Sequence, residues 1–155
     1  MKHKITSEFL KLMLRRDDYH DSTNLNAIDE LANQNQLVGY IGFDATAPSL
    51  HVGNLMQVLK LKTMQNTGQK PIVLIGGGTT KIGDPSGKDS IRKIQSQADI
   101  EKNIEKIKNN LSKFIKFGNG KNEALLVNNS DWLDKLNYIE FLKTIGPHFT
   151  INRML

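Results

Sequence analysis

The sequence predicts an α/β fold built on a doubly wound parallel sheet, and two observations carry that expectation. Three short apolar runs, at residues 37–43, 71–75 and 124–127, read as strands, and the stretches between them place apolar residues at helical spacing. Strands that alternate with helices need crossover connections, and a crossover returns the chain parallel to the strand it left. Three strands make a small sheet for a domain of this type, so the sheet reads as incomplete.

The elements follow in order. Residues 7–16 form an expected helix capped by Thr6 or Ser7, and Leu25–Asn33 a second, with Leu25, Ile28 and Leu31 at helical spacing. The first strand, 37–43, gives way to the turn-rich Asp44-Ala45-Thr46-Ala47-Pro48-Ser49. A helix with Leu55, Val58, Leu59 and Met64 on one face comes next and ends at Gly68. Pro71-Ile72-Val73-Leu74-Ile75 is continuous and β-branched, as expected of a strand buried on both faces. The glycine-rich stretch from Gly76 to Lys88 reads as a tight loop. A helix over 99–114 repeats Ile100, Ile104, Ile107, Leu111 and Phe114 at intervals of four and three. A Gly/Asn loop at 118–122, the strand at 124–127 and a helix at 137–144 closed by Gly146 complete the series. Residues 147–155 look like the entry to another helix, cut short.

The chain of 155 residues is the size of one ordinary domain, and its 38% hydrophobic and 24% charged residues fit a soluble globular protein. Its most apolar stretch, 71–78, falls far short of the roughly 20 residues that span a bilayer, so no membrane span is expected. The polar opening MKHKITSEFL has no secretory signal pattern. Without cysteine, a disulfide framework or thiolate metal site is impossible, which fits a cytoplasmic protein. The net charge of +5 suits a nucleic acid or nucleotide partner. Lys102, Lys106, Lys108, Lys113 and Lys116, however, alternate with Glu101 and Glu105, the pattern of a solvated helix face.

Two segments carry chemistry. His51-Val52-Gly53-Asn54 opens a helix, where backbone N–H groups and the helix dipole attract an anion and His51 can donate to a phosphate oxygen. Taken alone, a single histidine at a helix start is more often a capping or surface residue. The second segment, Gly76-Gly77-Gly78-Thr79-Thr80-Lys81-Ile82-Gly83-Asp84-Pro85-Ser86-Gly87-Lys88, follows a buried strand. It is not a P-loop, because Ile82 stands where the first glycine of GxxxxGK would be, and it lacks the GxGxxG dinucleotide spacing. Asp84 is either a positioned carboxylate or a solvated loop residue.

Together the segments resemble the tyrosyl-tRNA synthetases, a class I family. Residues 40–54, YIGFDATAPSLHVGN, look like its signature with the HxGH motif; 71–92, containing GGGTTKIGDPSGK, like its tyrosine-pocket loop; and Val127-Asn128-Asn129-Ser130-Asp131-Trp132 like its third strand and the turn after it. The resemblance spans about residues 35–155. It implies the first half of a Rossmann-like catalytic domain over 1–155, with 1–34 a helical segment inside it. The implied activity is ATP-dependent activation of L-tyrosine to tyrosyl-adenylate and transfer to tRNA(Tyr), in a cytoplasmic homodimer, with Mg2+ accompanying ATP.

Roles at matching positions follow from the same resemblance. Tyr40 would bond the substrate phenol, Asp84 its ammonium, and Thr79 and Asn129 would line or support that pocket. Gly42, Asp44, Gly53 and Asn54 would sit by ATP, while Thr46 and His51 would bind the γ-phosphate most strongly in the transition state. Lys88 and Arg92 would act on pyrophosphate, unless they are solvated loop charges. Asn54 departs from the second histidine of HxGH, Ile41 cannot contact the ribose, and Ala45 replaces a common proline. The family's YxxxQ helix, the aspartate that shares the substrate OH, the KMSKS loop and the anticodon-binding and C-terminal RNA-binding domains are not in the sequence. The chain is therefore expected to be too short to complete the reaction alone. The alternatives are a small HxGH-type nucleotidyltransferase and a non-catalytic dimerisation or binding module.

Overall fold

The structure, a computed structural model, describes residues 4–82 and 95–150. Strands β1 (Val38–Asp44), β2 (Lys70–Gly76) and β3 (Leu125–Asn128) pair in parallel in the order β1-β2-β3. Helices α1 (Glu8–Arg15) and α2 (Leu25–Asn33) precede the sheet, and α3 (Val52–Asn66) carries the chain from β1 to β2. Between β2 and β3 lie α4 (Gly77–Ile82) and α5 (Gln97–Leu111), and after β3 come the short α6 (Ser130–Leu133), then α7 (Tyr138–Thr144) and a 3-10 turn at Gly146–His148.

The pleat sorts each strand's side chains onto two faces. Phe43, Val73 and Ile75 are buried on one of them, where Val58, Leu61 and Met64 of α3 and Ile100, Ile107 and Leu111 of α5 close the core. Ile41 and Leu126 pack against the same cluster. The register Tyr40↔Ile72↔Leu125 and Gly42↔Leu74↔Val127 defines the opposite face. There Tyr40 is 69% exposed and Ile72 and Leu74 are half-buried. The continuous apolar run of β2 thus does not make it a strand buried on both faces; it is covered on one.

The helical stripes also shift from expectation. In α3 the buried position is Leu61, not Leu59, and Leu55 stays partly exposed. In α2 the buried residues are Asp29 and Ala32, while Leu31 is 40% exposed. Helix α5 starts earlier and ends earlier than its apolar repeat: Ser96 caps it by accepting from Asp99 N, and after the C-cap at Ser112 it is Ile115, not Phe114, that enters the core. The lysines of α5 and the following turn lie on its solvated side, where Lys116 pairs with Glu123 at 2.6 Å. The glycine-rich stretch is not a loop throughout, since residues 77–82 form α4. Gly146 does not close α7 directly; Ile145 is its C-cap and Gly146 begins the 3-10 turn.

Asp29 ties α1 to α2. Its carboxylate accepts from Thr6 N at 3.0 Å, Thr6 Oγ1 at 2.9 Å and Ser7 N at 2.8 Å, at the start of the helix that Ser7 caps. Between α4 and α6 the link is ionic, Lys81 Nζ to Asp134 Oδ2 at 2.5 Å. Both partners are substantially solvated, so Lys81→Ala is expected to cost less than about 1 kcal/mol, checked by urea denaturation.

Candidate active site

Asp44, Thr46, His51, Thr79 and Asn129 lie at or follow the carboxyl ends of the three strands, where ligands of such sheets bind, whereas Tyr40 sits nearer the start of β1. Tyr40, Gly42 and Asp44 share the open face of β1, and four residues of strand set the two ends about 13 Å apart. A Cβ built on Gly42 meets nothing within 4 Å, so the packing itself makes no demand for glycine there. Asp44 is exposed and pairs with Gly76; a Cβ on Gly76 would lie 3.1 Å from its Oδ1 and 2.7 Å from Thr79 Oγ1. The carboxylate of β1 and the hydroxyl of α4 therefore border the same glycine.

The turn after β1 is held from behind. Ala45 is fully buried; its N–H donates to Thr80 Oγ1 at 3.2 Å, and its carbonyl accepts from Asn103 Nδ2 at 2.9 Å. Asn103 also donates to Gln95 Oε1 at 3.2 Å, and Gln95 Nε2 donates to the Thr46 carbonyl at 2.6 Å. Sequence reasoning missed Thr80, Gln95 and Asn103. The signal was an asparagine between Ile100 and Ile107, on the face of α5 that otherwise carries its buried apolar residues. Those bonds engage the backbone, and Thr46 is exposed.

At the start of α3, His51 is both the cap and the candidate donor. Its Nδ1 accepts from Gly53 N at 3.1 Å, so the neutral ring carries its proton on Nε2, as an N–H donor facing away from the cap. A Cβ on Gly53 would meet the His51 ring at 2.9 Å, which gives that glycine a reason: the imidazole folds over it. Asn54 Oδ1 accepts from His51 N at 3.1 Å, completing a capping box, and Nδ2 reaches Gln57 Oε1 only at 3.4 Å. The capping and anion-binding readings of His51 are thus compatible, each using a different nitrogen. A groove of about 380 Å³ runs beside His51, between α3 and the end of α5, lined by Leu50, Val52, Leu55 and Phe114.

Thr79 and Asn129 meet: Asn129 Nδ2 donates to Thr79 Oγ1 at 3.2 Å, and Asn129 Oδ1 accepts from Gly78 N at 2.7 Å. Asn129 is nine-tenths buried and Thr79 exposed, so the asparagine supports the hydroxyl from below. Asp84, Lys88 and Arg92 lie outside the described residues. Among the described residues, no three His, Asp or Glu side chains gather to hold a metal ion, and no helix is long and apolar enough to cross a membrane.

An open parallel sheet with a histidine-capped helix and a threonine–asparagine pair beyond its strand ends has the architecture of an α/β ligand-binding domain. Residues 32–155 match the family described as tRNA synthetases class I (W and Y), and the chain belongs to that family. Its relatives there include tyrosine–tRNA ligases. That of Wolbachia pipientis is 54% identical across all of this chain, and that of Caulobacter vibrioides 53% identical across 96% of it. The chain spans 37% and 36% of their respective lengths. A C-terminally truncated mitochondrial tyrosyl-tRNA synthetase of Coccidioides posadasii superposes with a TM-score of 0.71 at 30% identity, covering 95% of this chain and 42% of that one.

Proposed function

We propose that this chain forms the tyrosine- and ATP-binding first half of a tyrosyl-tRNA synthetase site, within a partial catalytic domain over 1–155. The observation that supports the reading is the common border at Gly76, which both the Asp44 carboxylate and the Thr79 hydroxyl approach. The substrate carboxylate attacks the α-phosphorus of ATP, the bond to the β-phosphate breaks and pyrophosphate leaves, giving tyrosyl-adenylate. Transfer to tRNA(Tyr) releases AMP.

Each residue has a part in that sequence. The Tyr40 hydroxyl meets the substrate phenol, Asp84 the ammonium, and the Asn129-supported Thr79 the same end. Gly42 leaves room for the nucleotide beside Asp44. Thr46 and the Nε2–H of His51 donate to the γ-phosphate as charge develops, with Gly53 and Asn54 shaping that helix start and Asn54 Nδ2 exchanging its long 3.4 Å bond to Gln57 for one to the ribose. Lys88 and Arg92 act on the pyrophosphate side. Mg2+ enters as the counterion of the ATP phosphates. The apolar residues exposed on and beside α7, among them Ile139, Phe141, Leu142 and Ile145, support a homodimer. The absence of cysteine supports a cytoplasmic setting.

Titrating the chain with L-tyrosine, L-phenylalanine and ATP tests the reading. Tyrosine should bind more tightly than phenylalanine, because a phenol-binding site leaves its own polar groups unpaired against the analogue. Tyr40→Phe should bring the two affinities together. Equal affinities in the wild-type chain would count against the assignment.

A further inference from the structure

The N-terminus of α4 is held by two consecutive side chains from the end of β3. Asn128 Oδ1 accepts from Gly77 N at 3.1 Å and from Ser130 N at 3.2 Å, while Asn129 Oδ1 takes Gly78 N. Helix starts leave their first N–H groups without intrahelical partners, and here two of them are supplied from a strand some fifty residues away. The approach is close: a Cβ on Gly77 would collide with Asn128 Oδ1, and one on Gly78 would stand 3.1 Å from Asn129 Oδ1. The paired glycines and paired asparagines are therefore one fitting. Asn128 bonds the first residue of α4, two positions before Thr79.

We propose that Asn128 is a positioning residue of the substrate site, its carboxamide oxygen locking the first turn of α4 to the end of β3 and so setting where Asn129 and Thr79 meet. The proposal rests on the tyrosine-site reading above. Only the acceptor oxygen is used in these bonds, so an aspartate in its place keeps the lock and an alanine loses it. The turn after β1 keeps its bonds from Asn103 and Gln95 in either variant and is tied to α4 through the Ala45–Thr80 bond alone among the hydrogen bonds described above, so the ATP side should respond less than the tyrosine side.

The test measures tyrosine and ATP affinity, together with amide hydrogen exchange, on the whole chain and on Asn128→Ala and Asn128→Asp. Asn128→Ala should weaken tyrosine about tenfold, the scale of one lost cap, and ATP less than about threefold, with faster exchange at Gly77 and Gly78. Asn128→Asp should return tyrosine to within about threefold of wild type, a rescue that a general loss of stability would not give. Wild-type tyrosine affinity in Asn128→Ala, or no rescue by Asn128→Asp, overturns the proposal. If Asn128→Ala does not fold, Asn128→Ser replaces it, its hydroxyl being too short to reach both amides. If the wild-type chain binds no tyrosine, the reading of the site fails on its own account and exchange decides the lock. Faster exchange in Asn128→Ala, reversed in Asn128→Asp, then upholds it, and unchanged exchange overturns it.

Discussion

His51→Ala is expected to lower the rate of tyrosine-dependent ATP–pyrophosphate exchange about 10²–10³-fold at saturating substrates, the usual scale for removing one preorganised donor to developing charge. The experiment uses a chimaera of these 155 residues with the part of the Wolbachia relative beyond the matched region. The rate should fall far more than the KM for ATP rises, because the contact strengthens only as the α-phosphorus becomes five-coordinate. The same substitution removes the α3 cap, at about 1 kcal/mol. His51→Asn separates the two effects: its Oδ1 can still accept at the cap, but it has no Nε2–H. Near wild-type melting with a rate as low as that of His51→Ala is the expected pair of results.

Asp29→Ala is expected to cost about 1–3 kcal/mol in urea denaturation, since it strands the buried Ser7 N–H at the helix start, while the exposed Thr6 donors return to water. Burial alone would raise this carboxyl's pKa. The hydrogen bonds from Ser7 and Thr6, side chain and backbone, outweigh that and hold it well below the usual carboxylate range. An unfolded aspartate titrates near ~3.9, so as pH falls the unfolded chain takes up the proton first. The contribution is complete at neutral pH and declines as pH falls below about 4–5 toward the folded value. Asp29→Asn should be less stable at pH 7 and lose this part of the acid dependence, measured by melting between neutral and acid pH.

Strand number, parallel pairing and the order of the large helices were legible because alternating apolar runs and helical stripes express burial directly. The start of α4 was not. Gly77 and Gly78 carry no local helical preference, and their N–H groups are satisfied by Asn128 and Asn129, a partnership visible only once β3 lies beside β2. Asp29 was hidden for a related reason: a charged residue on a helix reads as solvated until its donors, more than twenty residues away, are placed around it. Leu59 and Leu61 were exchanged because both fit a helical stripe, and only the position of the sheet selects between them. At the candidate site, the motif residues are proposed from pattern, whereas Thr80, Gln95 and Asn103, which hold the Thr46 turn, belong to no motif and came from geometry alone.

We propose that these residues form a tyrosine-activating half-site with Asn54 in the place of a histidine. ATP–pyrophosphate exchange by the chimaera, run with tyrosine and then with phenylalanine, tests it most directly. Exchange that depends on tyrosine, is far slower with phenylalanine and collapses in His51→Ala is the predicted result; a folded chimaera without tyrosine-dependent exchange would contradict it.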